Sequence, residues 1–143
     1  MARRLRGRLT LLYTDCFHRD AGYIWKVRLN ETAKQEAFLN FLPEMNHNEL
    51  VSLAKTHFPA TAVMLLPRRL PARMAKRFAA TEKLLRSHRL PVLKIDLKGK
   101  DRLEETWRAA ILADWTAYAL AKLNGAEPAE TKIIGELKAA MRR

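Results

Sequence analysis

The sequence has 143 residues, which is the length of one domain and enough to bury a sizeable hydrophobic core. Its composition, with 48% hydrophobic and 29% charged residues, is typical of a globular protein and excludes wholesale disorder. No stretch reaches the roughly 18 apolar residues that a membrane span needs. The single cysteine, Cys16, excludes an internal disulfide and favours a reducing, cytoplasmic setting.

Positive charge is concentrated in one part of the chain. The net charge is +12, and residues 68–102 alone hold 12 basic and 3 acidic residues. A second cluster opens the chain with Arg3, Arg4, Arg6 and Arg8. Clustered positive charge is typical of proteins that bind phosphate-bearing partners, nucleic acids among them. Because the sequence has neither zinc-finger spacing nor an aromatic-glycine RNA-binding signature, nucleic-acid binding is disfavoured, and a basic outer face is the simpler interpretation.

The first half of the chain alternates apolar runs with amphipathic segments. The run Gly7–Thr14 predicts a buried strand, and the spacing of apolar residues then predicts a helix over about Arg19–Phe41. Pro43 interrupts this pattern, and Asn46–Lys55 predicts a second, short helix. The run Thr61–Leu66 predicts another buried strand.

The second half continues this alternation. It predicts a basic amphipathic helix over Pro71–His88, a third strand over Pro91–Leu97, a long helix over Asp101–Asn124 and a last helix over Glu130–Met141. Gly125 is placed to end the long helix. We therefore expect an α/β fold of three layers, αβα, with a small parallel sheet of three strands. No Gly-rich phosphate loop of the GxGxxG or GxxxxGK(S/T) type is present.

Three side chains have both a structural and a functional interpretation. Asn46-His47-Asn48-Glu49 resembles a capping box, in which Asn46 caps the helix and His47 lies exposed in its first turn. Glu31 fits a helix-surface carboxylate paired with Lys34 or Gln35, and its spacing from His47 does not establish that the two meet. Asp114 falls on an apolar helix stripe, where a carboxylate is costly without a partner. Such a residue either holds a structural hydrogen bond or contacts a partner surface. The histidines have no ligand-like spacing, so no metal is expected.

Three segments resemble, in order, the bifunctional phosphoglucose/phosphomannose isomerases. They are KVRLNETAK (26–34), LPEMNHNELV (42–51) and DWTAYALAKLNGAEPAETKIIGELK (114–138). Arg28 stands where that family commonly has glutamine, and Thr32 where it has asparagine. The resemblance implies a sugar-isomerase (SIS) fold and covers nearly the whole chain. Residues 1–143 are expected to form one SIS-like domain, similar to the second, C-terminal domain of a two-domain isomerase, without the first.

The same resemblance implies an aldose–ketose isomerase acting on glucose 6-phosphate and mannose 6-phosphate. Glu31 matches the family's enediolate base, and His47 matches its ring-opening histidine, which the neighbouring subunit of a dimer supplies. Lys138 matches a third catalytic position near the end of the chain. Substrate-binding positions are implied at Asn30, Lys34, Asn46 and Asn48.

Three functions stay open at this point. The first is half of an isomerase, inactive alone, which pairs with an N-terminal SIS domain or with a second copy. The second is a non-catalytic module that binds a phosphosugar. The third is a nucleic-acid-binding domain that uses the basic residues between Arg68 and Arg102.

Overall fold

A computed structural model describes residues 1–55 and 57–142. Its centre is one parallel sheet of four strands in the order β2-β1-β3-β4. The strands are β1 (Leu9–Asp15), β2 (Ala37–Leu42), β3 (Ala60–Pro67) and β4 (Val92–Leu97). Both central strands, β1 and β3, are almost wholly buried, as expected for a parallel sheet that is covered on both faces.

Helices cover both faces of the sheet and complete three layers, which confirms the predicted fold class. They are α1 (Ala2–Leu5), α2 (Arg19–Glu31), α3 (Met45–Leu53), α4 (Ala72–Ser87), α5 (Arg102–Asn124) and α6 (Lys132–Ala140), with a single 3₁₀ turn at Cys16–His18. One apolar cluster joins α1, α2 and α5 to one face of the sheet, with the fully buried Trp25 among its members. A second cluster joins α3 and α4 to the other face through Met45 and Phe78.

The common direction of the strands defines two edges of the sheet. All four strands are parallel, so their amino ends (Leu9, Ala37, Ala60, Val92) meet at one edge, which we call the amino edge. Their carboxyl ends (Asp15, Leu42, Pro67, Leu97) meet at the opposite edge, the carboxyl edge. Each helix that follows a strand begins at the carboxyl edge, and those that lead into the next strand return the chain to the amino edge.

The predicted helix over Arg19–Phe41 is wrong in its second half, and the sheet has four strands rather than three. Helix α2 ends at Glu31, and residues 37–42 form the edge strand β2. Lys34 adopts a left-handed conformation with φ 52°, which a continuing helix does not allow. The Asn30 side chain then accepts a hydrogen bond of 2.9 Å from the Ala37 backbone N–H and so fixes the start of β2.

The long helix agrees with its sequence signals at both ends. Asp101 accepts a hydrogen bond of 2.9 Å from the Glu104 backbone N–H at the start of α5. Gly125 ends the helix in the left-handed conformation with φ 68°, where its backbone N–H reaches the carbonyl of Lys122. Helix α1 was not predicted, since four residues are too few to carry a helical repeat.

Candidate functional site

Glu31 is the last residue of α2 and lies at the amino edge of the sheet. Its side chain is exposed, and no other side chain in residues 1–55 and 57–142 forms a hydrogen bond or ion pair with its carboxylate. The pairing with Lys34 or Gln35 that helical spacing predicted is therefore wrong for the carboxylate. A free carboxylate at a helix end is chemically available as a proton acceptor.

The loop after α2 is held rigidly by hydrogen bonds. The Lys34 ammonium donates to the backbone carbonyls of Glu31, Pro128 and Glu130, the last at 2.7 Å. Asn124, at the end of α5, donates to the Ala33 carbonyl at 3.0 Å. These contacts join the end of α2 to the chain between α5 and α6 and so fix the position of Glu31.

His47 lies in the first turn of α3, which follows β2 at the carboxyl edge. The imidazole is exposed, and it has no hydrogen-bond partner in the part of the chain that the structure describes. The turn before α3 contains the cis peptide bond between Leu42 and Pro43. Because the imidazole is exposed, both ring nitrogens of His47 are accessible to a ligand or to a neighbouring molecule.

The residues around His47 brace α3 rather than cap it. Asn46 donates to the Thr81 hydroxyl of α4 at 2.9 Å and accepts from Arg77 at 3.3 Å. The predicted capping box is wrong, because α3 begins at Met45 and Asn46 already lies inside the helix. Glu49, the expected second member of the box, instead accepts 2.6 Å hydrogen bonds from Tyr13 and from Asn40. It therefore joins α3 to the sheet.

The Asn48 side chain also has a hydrogen-bond partner, which lies close to it in the sequence. It donates a hydrogen bond of 3.1 Å to the carboxylate of Glu44, one turn earlier. All four predicted substrate-binding side chains (Asn30, Lys34, Asn46, Asn48) thus have intramolecular partners. A ligand at these positions would contact the atoms that those hydrogen bonds leave free.

The structure does not bring Glu31 and His47 of one chain together. Glu31 lies beyond the amino ends of the strands, and His47 lies beyond their carboxyl ends. The six-residue strand β2 connects the two regions and spans about 20 Å, at roughly 3.3 Å per residue. One six-carbon sugar phosphate cannot contact both side chains of a single copy.

Lys138 lies on α6, which follows α5 and begins near the amino edge. No residue of α6 is buried, and Lys138 itself is exposed. The helix also leaves three apolar side chains in solvent, Ile133, Ile134 and Leu137, and Met141 just after the helix is exposed as well. Because Lys34 holds the chain just before α6 against the end of α2, α6 begins on the same side of the molecule as Glu31.

A buried cluster at the carboxyl edge was not found from the sequence. His18 Nδ1 lies 2.7 Å from Asp15 Oδ1, and His18 Nε2 lies 3.0 Å from Glu105 Oε2. All three residues are buried, with His18 only 8% exposed. Glu105 also accepts a hydrogen bond of 3.3 Å from the Arg68 backbone N–H. The cluster therefore ties the end of β1, the first turn of α5 and the end of β3 to one another.

The protonated form of His18 fits this cluster best. The hydrogen bond to Asp15 raises the pKa of His18 above the ordinary value of 6.5. Burial lowers this pKa, whereas the negative charges of Asp15 and Glu105 raise it further. Only an imidazolium donates from both ring nitrogens, as two facing carboxylates require. The arrangement is thus a buried ion triad, in which neither ring nitrogen is left to act on a ligand.

The long helix α5 presents a small-residue face to the core and a large apolar face to solvent. Its buried residues are Ala109, Ala113, Thr116, Ala117, Leu120 and Ala121, together with Glu105. Trp107 is 63% exposed and Trp115 is 69% exposed. Leu103, Ile111, Leu112 and Tyr118 extend the same exposed surface, which we call the α5 face. Contiguous apolar surface of this kind is typical of a protein–protein interface.

Asp114 lies within the exposed side of α5 and is paired. Its carboxylate forms an ion pair with Arg28 Nε of α2, and both side chains are about half exposed. The stripe on which the sequence placed Asp114 faces solvent in this chain, so its carboxylate is not buried. Arg28, which replaces the commoner glutamine, thus has a partner within the chain.

A basic groove lies between α3 and α4, and it has a volume of about 400 Å³. Arg73, Lys76 and Arg77 of α4 form one side, and Asn46 and Leu50 of α3 form the other. These cations account for part of the charge that residues 68–102 carry. The groove is near the helix that bears His47.

Two kinds of feature are absent from the described part of the chain. No group of three or more His, Cys, Asp or Glu side chains in residues 1–55 and 57–142 could hold a metal ion. Within the same ranges, no helix is both long and apolar enough to span a membrane.

The sequence model of one protein family, described as bacterial phosphoglucose isomerase C-terminal SIS domain, matches residues 1–141. Two curated relatives are each named bifunctional phosphoglucose/phosphomannose isomerase. The one from Thermoplasma volcanium is 30% identical over 131 residues, which is 91% of this chain and 42% of the relative. The one from Aquifex aeolicus is 27% identical over 145 residues, which is 100% of this chain and 45% of the relative. The chain thus spans less than half of either relative.

Solved structures agree with this similarity. A glucose-6-phosphate isomerase-like protein from Thermus thermophilus superposes with a TM-score of 0.71 at 27% identity, over 89% of this chain and 41% of that one. A second Thermus thermophilus protein, described as hypothetical, gives a TM-score of 0.73 at 11% identity, over 99% of this chain and 41% of that one. The second match concerns the fold alone.

Proposed function

The chain belongs to the family of bacterial phosphoglucose isomerase C-terminal SIS domains, and from that premise we propose that it supplies half of the active site of a sugar-phosphate isomerase. The reaction interconverts an aldose phosphate, glucose 6-phosphate or mannose 6-phosphate, with fructose 6-phosphate. The observation that carries the proposal is the free, exposed carboxylate of Glu31, which a rigid loop holds at the amino edge.

Glu31 acts in this proposal as the base of the enediolate mechanism. Its carboxylate accepts the proton from C2 of the open-chain aldose and returns it to C1, while the O2 hydroxyl proton passes to O1. A carboxylate suits this role because it can carry a proton between adjacent carbons without leaving the site. The hydrogen bonds of Lys34 and Asn124 hold the residue in place without neutralising its charge.

His47 acts in this proposal as the group that opens the sugar ring, and a second copy of the chain supplies it. Ring opening places a proton on the ring oxygen and removes one from the C1 hydroxyl, and an imidazole can serve as the general acid and base for this transfer. The placement of Glu31 and His47 at opposite edges of the sheet supports the need for two copies. Lys138 is proposed to approach the substrate from the same side as Glu31 once α6 is covered by a neighbour.

The partner of the α5 face is proposed to be another sugar-isomerase domain. The chain spans 42% and 45% of two relatives, so each contains more than half of its length outside the matched region. Trp107 and Trp115 are the large, exposed residues that such a domain would bury. Without it the active site is incomplete, so we expect the isolated chain to be inactive. A cytoplasmic location stays a prediction.

The direct test is a coupled assay of isomerisation. The chain is assayed with glucose 6-phosphate and with mannose 6-phosphate, first alone and then together with the unmatched part of the Thermoplasma volcanium relative. We expect turnover only from the pair, and a loss of about 100-fold or more when Glu31→Gln replaces the native residue. Lack of activity from a pair in which both parts are folded would contradict the proposal.

A matched control variant distinguishes the negative charge of Glu31 from its proposed role as a base. Glu36 is also an exposed acidic residue at the amino edge, in the loop before β2. Glu36→Gln removes the same charge, and we expect it to change turnover less than about twofold. An equal loss in both variants would indicate a general electrostatic effect rather than a base.

A second candidate function is binding of a phosphosugar without turnover, and the basic groove between α3 and α4 favours it. Arg73 and Lys76 have no acidic partner among the residues that the structure describes, so both are free to contact a phosphate. Calorimetry with fructose 6-phosphate on the chain alone distinguishes the two functions. Saturable binding by the isolated chain, with no turnover by the pair, would favour the binding module.

A further inference from the structure

A concave pocket of about 660 Å³ opens at the amino edge, beside the starts of β1, β3 and β4. Its lining includes five arginines and no acidic residue: Arg3, Arg4, Arg6, Arg8 and Arg86. We call it the arginine pocket. Neither Glu31 nor His47 lines it, so a role for this pocket is independent of the proposed isomerase function.

Two of the five guanidinium groups are fixed in place. Arg8 Nε donates to the Thr61 hydroxyl at 2.8 Å, and Arg8 Nη2 donates to the Ala60 carbonyl at 2.7 Å. Arg86 Nη2 donates to the Val92 carbonyl at 2.8 Å, while its Nε contacts Glu82 at 3.0 Å. Each side chain keeps its Nη1 group for another acceptor, and the fixed orientation lowers the entropy that binding costs.

The other three arginines have no side-chain partner among the described residues. Arg3, Arg4 and Arg6 are exposed, and within residues 1–55 and 57–142 none forms a side-chain hydrogen bond or an ion pair. Arg86 is ion-paired with Glu82, whereas the other four arginines have no acidic partner among the described residues. These four cations around one hollow repel one another, and an anion in the hollow converts that repulsion into attraction. The pocket is therefore electrostatically complementary to a multiply charged anion.

The chemistry of arginine specifies the kind of anion. The guanidinium fork matches the tetrahedral oxygens of a phosphate group and donates two parallel hydrogen bonds to it. A volume of about 660 Å³ is typical of small-molecule sites, which range over roughly 300–1,000 Å³. An extended nucleic acid would instead favour a longer, open track of cations.

We propose that the arginine pocket is a binding site for a phosphate-bearing small molecule. Arg8 and Arg86 form its fixed base, and Arg3, Arg4 and Arg6 close around the anion from α1 and the turn that follows it. The pocket lies at the opposite edge of the sheet from His47 and the Asp15–His18–Glu105 cluster. Glu31 lies at the same edge as the pocket but does not line it.

The test is calorimetric titration of the full chain with inorganic phosphate and with pyrophosphate at about 50 mM salt, where phosphate contacts are strong. We expect saturable 1:1 binding that is tighter for pyrophosphate. The double variant Arg4→Gln/Arg6→Gln should weaken it about tenfold or more, because it removes two guanidinium groups that donate charge-assisted hydrogen bonds to the anion. Both residues are exposed, so thermal unfolding should show that the variant is folded.

The matched control is Arg69→Gln/Lys83→Gln, which removes the same charge from two exposed residues that line neither the arginine pocket nor the groove between α3 and α4. We expect this control to change the affinity for pyrophosphate less than about twofold. Equal weakening in both double variants, or no saturable binding, would overturn the proposal. Competition by a single-stranded oligonucleotide whose affinity grows with its length would overturn it in favour of nucleic-acid binding.

Discussion

Glu31 and His47 lie at opposite edges of the same sheet, one beyond the amino ends of the strands and the other beyond their carboxyl ends. The separation follows from the chain path: α2 returns the chain to the amino edge, and β2 carries it about 20 Å back to the carboxyl edge. In a single copy, two reactive groups so placed cannot act on the same substrate molecule. They can do so only when two chains associate. Oligomer geometry is therefore a condition of the proposed chemistry.

The buried His18 makes stability depend on pH. The pKa of His18 is raised above 6.5 by its hydrogen bond to Asp15, so the protonated ring stabilises the folded state fully below pH 6.5. This contribution is lost as the pH rises through the folded-state pKa. We expect urea unfolding to give a lower free energy of unfolding at about pH 9 than at about pH 6. His18→Gln should remove that part of the difference.

The control for His18 is the exposed His88, whose side chain has no partner among the described residues. His88→Gln should leave the pH dependence unchanged. His18→Ala is the more severe change, because it leaves the buried carboxylates of Asp15 and Glu105 unpaired, and we expect a loss of about 3 kcal/mol. A pH dependence that is identical in wild type and His18→Gln would contradict the protonated triad.

Lys34 is predicted to contribute to stability as well as to the site. Its ammonium donates to three backbone carbonyls, those of Glu31, Pro128 and Glu130. Lys34→Met should lower the free energy of unfolding of the chain by about 1–2 kcal/mol, since buried or charge-assisted hydrogen bonds contribute on that scale. Denaturant unfolding measures this. Lys26 of α2 has no partner in the described ranges, and Lys26→Met should change the same quantity by less than about 0.5 kcal/mol.

The α5 face is predicted to bind a second sugar-isomerase domain without stabilising the isolated chain. Trp107 is 63% exposed, so Trp107→Glu should leave thermal unfolding of the isolated chain nearly unchanged. The same variant should abolish association with the unmatched part of the Thermoplasma volcanium relative, as sedimentation velocity would show. Lys83→Glu, an exposed change on α4, should not affect association. If the Trp107→Glu variant associates as strongly as the wild type does, the interface does not include the α5 face and the prediction is contradicted.

Local signals predicted much of the fold. Asp101 and Gly125 mark the ends of α5 as the structure has them, because capping depends on a few neighbouring residues. The buried strand β3 was equally clear from its continuous apolar run, and β4 agrees with the strand predicted over Pro91–Leu97. The edge strand β2 was missed because Ala33 and Ala37 continue the helical spacing of α2. The pattern is broken at Lys34, whose backbone is left-handed. Glycine is the residue that usually indicates such a conformation, and the sequence has none there.

The site was less predictable, because its contacts are distant in the sequence. His18 and Glu105 are 87 residues apart and meet only when α5 begins beside the end of β1. The large apolar residues of α5 were consistent either with a core stripe or with a binding surface, and Trp107 and Trp115 face solvent. Alanines form the true core face, since small side chains allow α2 and α5 to pack closely. The motif resemblance indicated Glu31 and His47 as candidate site residues. That they lie far apart could not be predicted without the order and direction of the strands.

The measurement that most directly tests the shared active site mixes two inactive variants of the reconstituted isomerase. Glu31→Gln keeps His47, and His47→Ala keeps Glu31, so each variant alone should be inactive in the coupled assay. Random mixing followed by reassociation makes half of the dimers hybrids, and each hybrid contains one intact site. We expect recovery of about a quarter of the wild-type rate. No recovery, in mixtures for which sedimentation shows that the chains have exchanged, would contradict an active site built from Glu31 of one copy and His47 of the other.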